Sequence, residues 1–148
     1  MRYKLTEAYY DEDTGVSVAR IQTNLGQFSG MAVLNKEDIE VKSNFAGCKL
    51  AESRAYIKYL KAKIKNIKIE IKGIQDLAKM LEGRNDYNKN SIENRKLRHL
   101  TFIKQNQITE IENKITSIKK SIDDYLEKRI LYIDKNKNKG EENGRNFN

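Results

Sequence analysis

From Asp86 to Gln105 the chain reads DYNKNSIENRKLRHLTFIKQ, which gathers Arg95, Arg98 and His99 with Tyr87, Asn94 and Phe102 near an expected helix start. Guanidinium forks suit bidentate contacts to phosphate, the first turn of a helix offers unbonded N–H donors, and an aromatic ring stacks on a base. Together these are the parts of a nucleotide site. Taken singly, Arg95 and Lys96 fit a solvated helix face, His99 an ordinary surface position and Phe102 a core position equally well. Arg54 is a separate candidate. It follows Ser53, a small residue in a seam otherwise built of Leu and Ile, and stands between Ala51 and Ala55. Small neighbours there leave room for a ligand or for close packing against another element.

Catalytic chemistry has little to build on. His99 is the only histidine and Cys48 the only cysteine, and no serine sits in a nucleophile elbow. Asp123 and Asp124 are helical neighbours about 100° apart, poor geometry for a carboxylate pair. Gly15, Gly26, Gly30 and Gly47 do not follow a phosphate-loop spacing. The expectation is a binding protein: not an enzyme, with no metal site and no cofactor.

Charge points the same way. The formal net charge is +8, from 29 basic and 21 acidic residues. Acidic side chains outnumber basic ones in residues 1–45, so the positive excess belongs to residues 46–148. Such a field favours anionic partners without choosing among nucleotides, nucleic acid and acidic protein. The lysines between Lys49 and Lys72 are dense enough for a nucleic-acid surface working by counterion release, but no base-reading motif accompanies them. No apolar run approaches the roughly 20 residues that cross a bilayer, and the first ten residues lack a signal-peptide core. These features predict a cytoplasmic protein with no membrane partner.

The elements that would position these residues are legible as an α+β arrangement. Residues 1–45 read as a three-stranded antiparallel meander and a polar connector: Arg2–Tyr10, a turn at Asp11–Gly15, Val16–Thr23, a turn at Asn24–Gly26, then Gln27–Leu34. Gly30 inside the third strand predicts a bulge or the close approach of another backbone. From residue 46 the period becomes seven. Leu50, Ile57, Ile64, Ile71 and Ala78 share one core position, and Ser53, Leu60, Ile67, Ile74 and Leu81 the other. This helix, about 46–82, ends at Gly83, suited to a left-handed cap. A polar loop leads to a second helix, about 91–134, with Asn90 and Glu93 spaced as a capping box. Its apolar stripe takes in Leu97, Leu100, Ile103, Ile108, Ile111, Ile115, Ile118, Ile122, Leu126, Ile130 and Ile133. The two helices fold back as an antiparallel, coiled-coil-like hairpin, 46–134, within one structural domain. Residues 135–148 have almost nothing to bury and are expected to be disordered.

At ~1.5 Å per residue, Arg54 lies about 35–45 Å along the hairpin from Arg95 and Arg98. One chain cannot bring them to one ligand, so a shared site has to form between subunits. Ala55, Ala62 and Ile69, with Tyr59 beside them, form a strip opposite the seam that also calls for a homo-oligomer.

At FSGMAVLNKED (28–38) and FAGCKLAESRAYIKYLK (45–61) the sequence resembles the first-described family of phage Thoeris anti-defence proteins. That resemblance covers residues 1 to about 133 and implies a small N-terminal sheet followed by a helical hairpin. It also implies a sponge that sequesters, unaltered, the glycocyclic ADP-ribose signal of a TIR-domain defence protein in an infected bacterial host. Cyclic oligonucleotides are further ligands in that family. Its implied assembly is a homo-oligomer built from dimers, up to a hexamer, with intersubunit pockets. Only the segment around Arg54 matches closely. Arg54, Tyr87, Asn94, Arg95, Arg98, His99 and Phe102 are the candidate ligand-binding set. The alternative is a basic helical module binding nucleic acid or a nucleoprotein defence complex.

Overall fold

The computed structural model describes residues 2–33, 44–83 and 92–145, with helical side chains described for 47–83 and 92–127. Three strands, β1 (Lys4–Asp11), β2 (Val16–Thr23) and β3 (Gly26–Val33), form an antiparallel sheet in the order β1-β2-β3. Two helices follow, α1 (Asn44–Glu82) and α2 (Ile92–Arg145). The expected α+β class and strand order are therefore present. The polar connector at 35–43 and Asn90 of the expected capping box lie outside the described residues, as does Tyr87. Gly83 follows α1 as expected, but the left-handed glycines are Gly15 (φ 72°) and Gly26 (φ 113°), both in the strand turns. The second helix is assigned from Ile92 to Arg145, past the limit expected at Asp134.

Both hairpin turns are set by side chains. Asp11 accepts the Asp13 amide on Oδ1 (3.0 Å) and the Gly15 amide on its carbonyl (2.9 Å). The second turn has two residues, with Thr23 opposite Gly26. Thr23 Oγ1 accepts the Leu25 amide (3.1 Å) and donates to the Gly26 carbonyl (2.8 Å). Between β1 and β2 the register slips once, because Leu5 faces Ile21 and Glu7 faces Arg20, leaving Thr6 as a bulge.

The chain divides into two compact units. The first comprises Met1–Lys58 and Thr116–Asn148. Its sheet buries the face bearing Ser17, Ala19, Ile21 and Thr23, together with Gly30 and Ala32 of β3. Apart from Ile21 these side chains are small, and α1 lies almost on the backbone. A Cβ built on Gly30 would collide with the Ala51 carbonyl and the Ala55 amide, and one built on Gly47 would collide with Ser17 Oγ. Of the two readings of Gly30, the close approach is the one observed. Leu50 and Ala51 close this core with Ala19 and Ala32, and Ile122 and Leu126 of α2 pack against it. Ser17 Oγ is buried with no hydrogen-bond partner among the described residues.

The second unit, Tyr59–Ile115, is an antiparallel helix pair. Lys104 Nζ meets Glu70 Oε2 at 2.5 Å, and Ile74 and Ala78 line the same cavity as Leu97 and Thr101. Residue numbers thus fall along one helix as they rise along the other. The seam read from the heptads is buried at Leu60, Ile67 and Ile71. On α2, Ile111 and Ile115 are buried while Leu100 and Ile103 are exposed, so the working seam runs through Leu97, Lys104, Ile108, Ile111 and Ile115. The strip expected to lie open on α1 is mostly closed. Ala55, in the first unit, and Tyr59, in the second, are buried, whereas Ile69 is 61% exposed.

The Gly30 contact yields a paired test by urea denaturation. Gly30→Ala should lower stability by about 3 kcal/mol, since overpacking here pushes against backbone. Gly73→Ala, at a mid-helix site with nothing within 4 Å of a built Cβ, should raise it by about 0.5–1 kcal/mol.

Candidate ligand-binding cavities

Within the first unit α1 presents three kinds of side chain around its contact with the sheet. Ala51 and Ala55 face Gly30. On one flank, one turn apart, Arg54 Nη1 donates to the Met31 carbonyl (2.7 Å) and Lys58 Nζ to the Ser29 carbonyl (2.8 Å). Ser29 and Met31 are alternate residues of edge strand β3, so the two cations cap its carbonyls. On the other flank, Glu52 Oε1 accepts the Tyr3 hydroxyl (2.8 Å), and the Tyr3 ring packs on Tyr56 at 4.8 Å between centroids. Glu52 Oε2 also lies 3.8 Å from Lys49 Nζ. The Tyr3 hydroxyl is held neutral, its pKa raised from 10.0 to about 12, first by burial and then by its bond to Glu52.

Ser53, the small residue in the apolar seam, opens onto a cavity of about 430 Å³. Its walls include Leu50, Ile118 and Ile122, with hydroxyls from Ser53, Ser117, Ser121 and Tyr125 and the Lys49 ammonium. The room expected beside Ser53 is therefore real, but Arg54 turns away from it toward β3. Thr101 and Thr109 bond back to the carbonyls of Leu97 and Gln105. No such bond is made by Ser53, Ser117 or Ser121 among the described residues. Ser117 and Ser121 went unread in the sequence. Their four-residue spacing beside Ile118 and Ile122 was the available signal.

The second unit holds a smaller cavity of about 230 Å³. Asn94, Arg98 and Phe102, three of the candidate residues, line it together with Ile74, Gln75, Ala78, Leu97, Thr101 and Gln105. Positions 94, 98 and 102 recur every four residues, which puts them on one face of α2. Arg95 and His99 are exposed and line neither cavity. Arg54 belongs to the first unit and Arg98 to the second. Gln75, Thr101 and Gln105 add amide and hydroxyl groups that sequence reading missed, because polar residues on a helix hairpin are common and carry no periodic signal.

Among the described residues no group of three or more His, Cys, Asp or Glu could hold a metal ion, and no helix is long and apolar enough to cross a membrane. Compared with known proteins, the chain matches no family model, no curated protein and no solved structure.

Two expectations follow for the first unit. A tyrosine whose folded pKa lies above its unfolded value stabilises the fold fully below the unfolded pKa and less as the pH climbs through the folded one. Stability measured at rising pH should therefore drop between about 10 and about 12 more in the parent chain than in Tyr3→Phe. Ser53→Leu, which puts methylenes into the cavity, should raise stability by about 1–2 kcal/mol in denaturant titration. A loss instead would mean that the serine hydroxyl itself holds the seam.

Proposed function

We propose that this protein is a non-catalytic binder that takes up a small signalling nucleotide and holds it unaltered in a pocket closed by a second subunit. The observation that carries this reading is the convergence of Asn94, Arg98 and Phe102 on one cavity. Arg98 supplies a phosphate fork, Asn94, Gln75 and Gln105 supply amide groups for base or ribose edges, and Phe102 supplies a stacking face. Arg95, a turn before Arg98 and exposed, adds positive field at the rim. Arg54 donates to Met31 in its own sheet, so the phosphate contacts rest on Arg98.

Size argues for the second subunit. The cavity is below the ~300 Å³ at which enclosed ligand sites begin, and Phe102 is 59% exposed. Depletion of a dilute signal requires binding of roughly −10 to −12 kcal/mol, which an open groove with one guanidinium does not reach. Exposed Ile69, Leu77, Met80, Leu100 and Ile103 in the same unit provide apolar surface for a second copy to cover. The resemblance at residues 28–38 and 45–61 makes glycocyclic ADP-ribose the first ligand to try, with cyclic oligonucleotides next, and supports reading the protein as a phage anti-defence sponge.

One observation favours nucleic acid as a second reading. Lys61, Lys65, Lys68 and Lys72 are all exposed, and their spacing of four, three and four residues puts them in one stripe along α1. A stripe of this kind tracks a phosphate backbone by counterion release.

Calorimetry against cyclic ADP-ribose isomers, cyclic oligonucleotides and a DNA duplex separates the readings. The first predicts tight, stoichiometric, weakly salt-dependent binding of a small nucleotide that is recovered intact after heating. Arg98→Ala and Phe102→Ala should each weaken it about 10- to 100-fold. Binding of the duplex alone, falling steeply with salt, would replace this reading with the second.

A further inference from the structure

The two edges of the sheet are treated differently. At β3 the Ser29 and Met31 carbonyls are taken by Lys58 and Arg54. At β1 the first six residues of the strand are exposed, among them Leu5 at 42% and Tyr9 at 58%, and the strand contains no proline. An uncovered edge strand of this length is a template for another strand. We propose that β1 pairs antiparallel with β1 of a second copy of this chain, about a two-fold axis through Ala8, joining two three-stranded sheets into one of six strands.

The Thr6 bulge selects the partner and the register. Through it, Lys4, Glu7, Tyr9 and Asp11 share the face of Gln22, Arg20, Val18 and Val16, while Leu5, Ala8 and Tyr10 share the face of Ile21, Ala19 and Ser17. A two-fold perpendicular to the sheet keeps each face on its own side, so opposed residues have to come from the same face. With the axis at Ala8 and Thr6 left as a bulge in both strands, Lys4 opposes Asp11, Leu5 opposes Tyr10, and Glu7 opposes Tyr9. Each pair occurs twice. Lys4 with Asp11 is an opposite-charge pair and Leu5 with Tyr10 an apolar one. Glu7 keeps its ion pair with Arg20 of its own sheet (3.3 Å) beside Tyr9, and the small Ala8 side chains meet at the axis.

Neighbouring registers fail on charge. An axis at Tyr9 opposes Glu7 with Asp11, and an axis at Glu7 opposes that carboxylate with its own copy. Without the bulge Lys4 and Asp11 would lie on opposite faces, because seven residues separate them. Asp11 spends Oδ1 on the Asp13 amide, which leaves Oδ2 for the partner's lysine. Since β3 is capped, β1 pairing closes at two copies rather than propagating into a fibre. A foreign strand would have no reason to match Lys4, Leu5, Tyr10 and Asp11 in this palindromic order.

The full chain, with Cys48→Ser removing the native thiol, is the material for the test. Ala8→Cys should give a covalent dimer on mild oxidation, because opposed residues of an antiparallel pair bring their Cα atoms to about 4.5–5.5 Å, within disulfide reach. Tyr9→Cys, whose opposite number is Glu7, should cross-link several-fold more slowly. By sedimentation, Lys4→Glu should raise the dimer dissociation constant by roughly 3- to 10-fold, since it sets two like-charge pairs across the axis. Lys4→Asp combined with Asp11→Lys should recover most of that loss. A monomeric mass at micromolar concentration would overturn the proposal. So would a dimer in which Ala8→Cys cross-links no faster than Tyr9→Cys, as that dimer would be built on another surface.

Discussion

The first unit depends on the absence of two side chains. At Gly30 the α1 backbone, through the Ala51 carbonyl and Ala55 amide, occupies the space a Cβ would need, and at Gly47 the relation is reversed, with Ser17 of the sheet pressed against the helix. These two contacts set both the distance and the rotation of α1 over the strands. Once they are fixed, the remaining positions follow from the 100° step of a helix. Arg54 and Lys58 fall over the β3 edge, Glu52 and Tyr56 fall beside Tyr3, and Leu50 joins Ala19, Ala32, Ile122 and Leu126. A sheet of three strands buries too little apolar surface to hold a helix by area alone. Close approach substitutes for size, because packing atoms at contact distance recovers dispersion energy that a larger gap would forfeit.

The same closeness explains why polar and charged groups do so much of the fixing at the edges of this contact. A helix seated on small side chains brings its own long side chains within reach of strand carbonyls and of a tyrosine hydroxyl. Both bonds are exposed to solvent, with Arg54 half-buried and Lys58 exposed, so each contributes modestly to stability. Their larger effect is on what the sheet can do, since a capped edge cannot recruit another strand. Glu52 joins a tyrosine hydroxyl and a lysine ammonium on its two oxygens, an arrangement that keeps the carboxylate satisfied although its side chain is mostly buried.

Some of this was legible in the sequence. Strand two was read at its observed limits, the other strands within two residues, and the heptads of α1 identified Leu60, Ile67 and Ile71 as core. Gly30 was rightly singled out, because glycine in a strand is costly unless something approaches it. Other features were illegible for a common reason: they depend on backbone acceptors or on register. The partner of Arg54 is a carbonyl, which has no sequence signature, so a structural cap looked like a free guanidinium. Ala55 looked open because the sheet's contact with α1 was not part of the heptad pattern. Leu100 and Ile103 were placed in the α2 stripe, although the seam uses the charged Lys104, neutralised by Glu70, in their stead. Of the candidate site, Asn94, Arg98 and Phe102 were brought together by simple i, i+4 spacing. Arg95 and His99, being intermediate in angle, were not.

Two helices alone make a groove rather than an enclosure, and both cavities are lined by α1 and α2 only. In the first unit the space beside Ser53, lined by α1 and α2 residues, is about 430 Å³. The second unit has only α1 and α2, and its space beside Arg98 is about 230 Å³. A nucleotide held there has protein on two sides at most, and its phosphates remain in water, where a guanidinium contact is weak. Further walls have to come from outside the chain. The apolar residues that α1 and α2 leave exposed in this unit are what a helix of another subunit would cover. In the proposed reading, association and ligand binding are therefore linked: subunits that enclose the anion lower the local dielectric around Arg98, and the bound anion stabilises the association that encloses it.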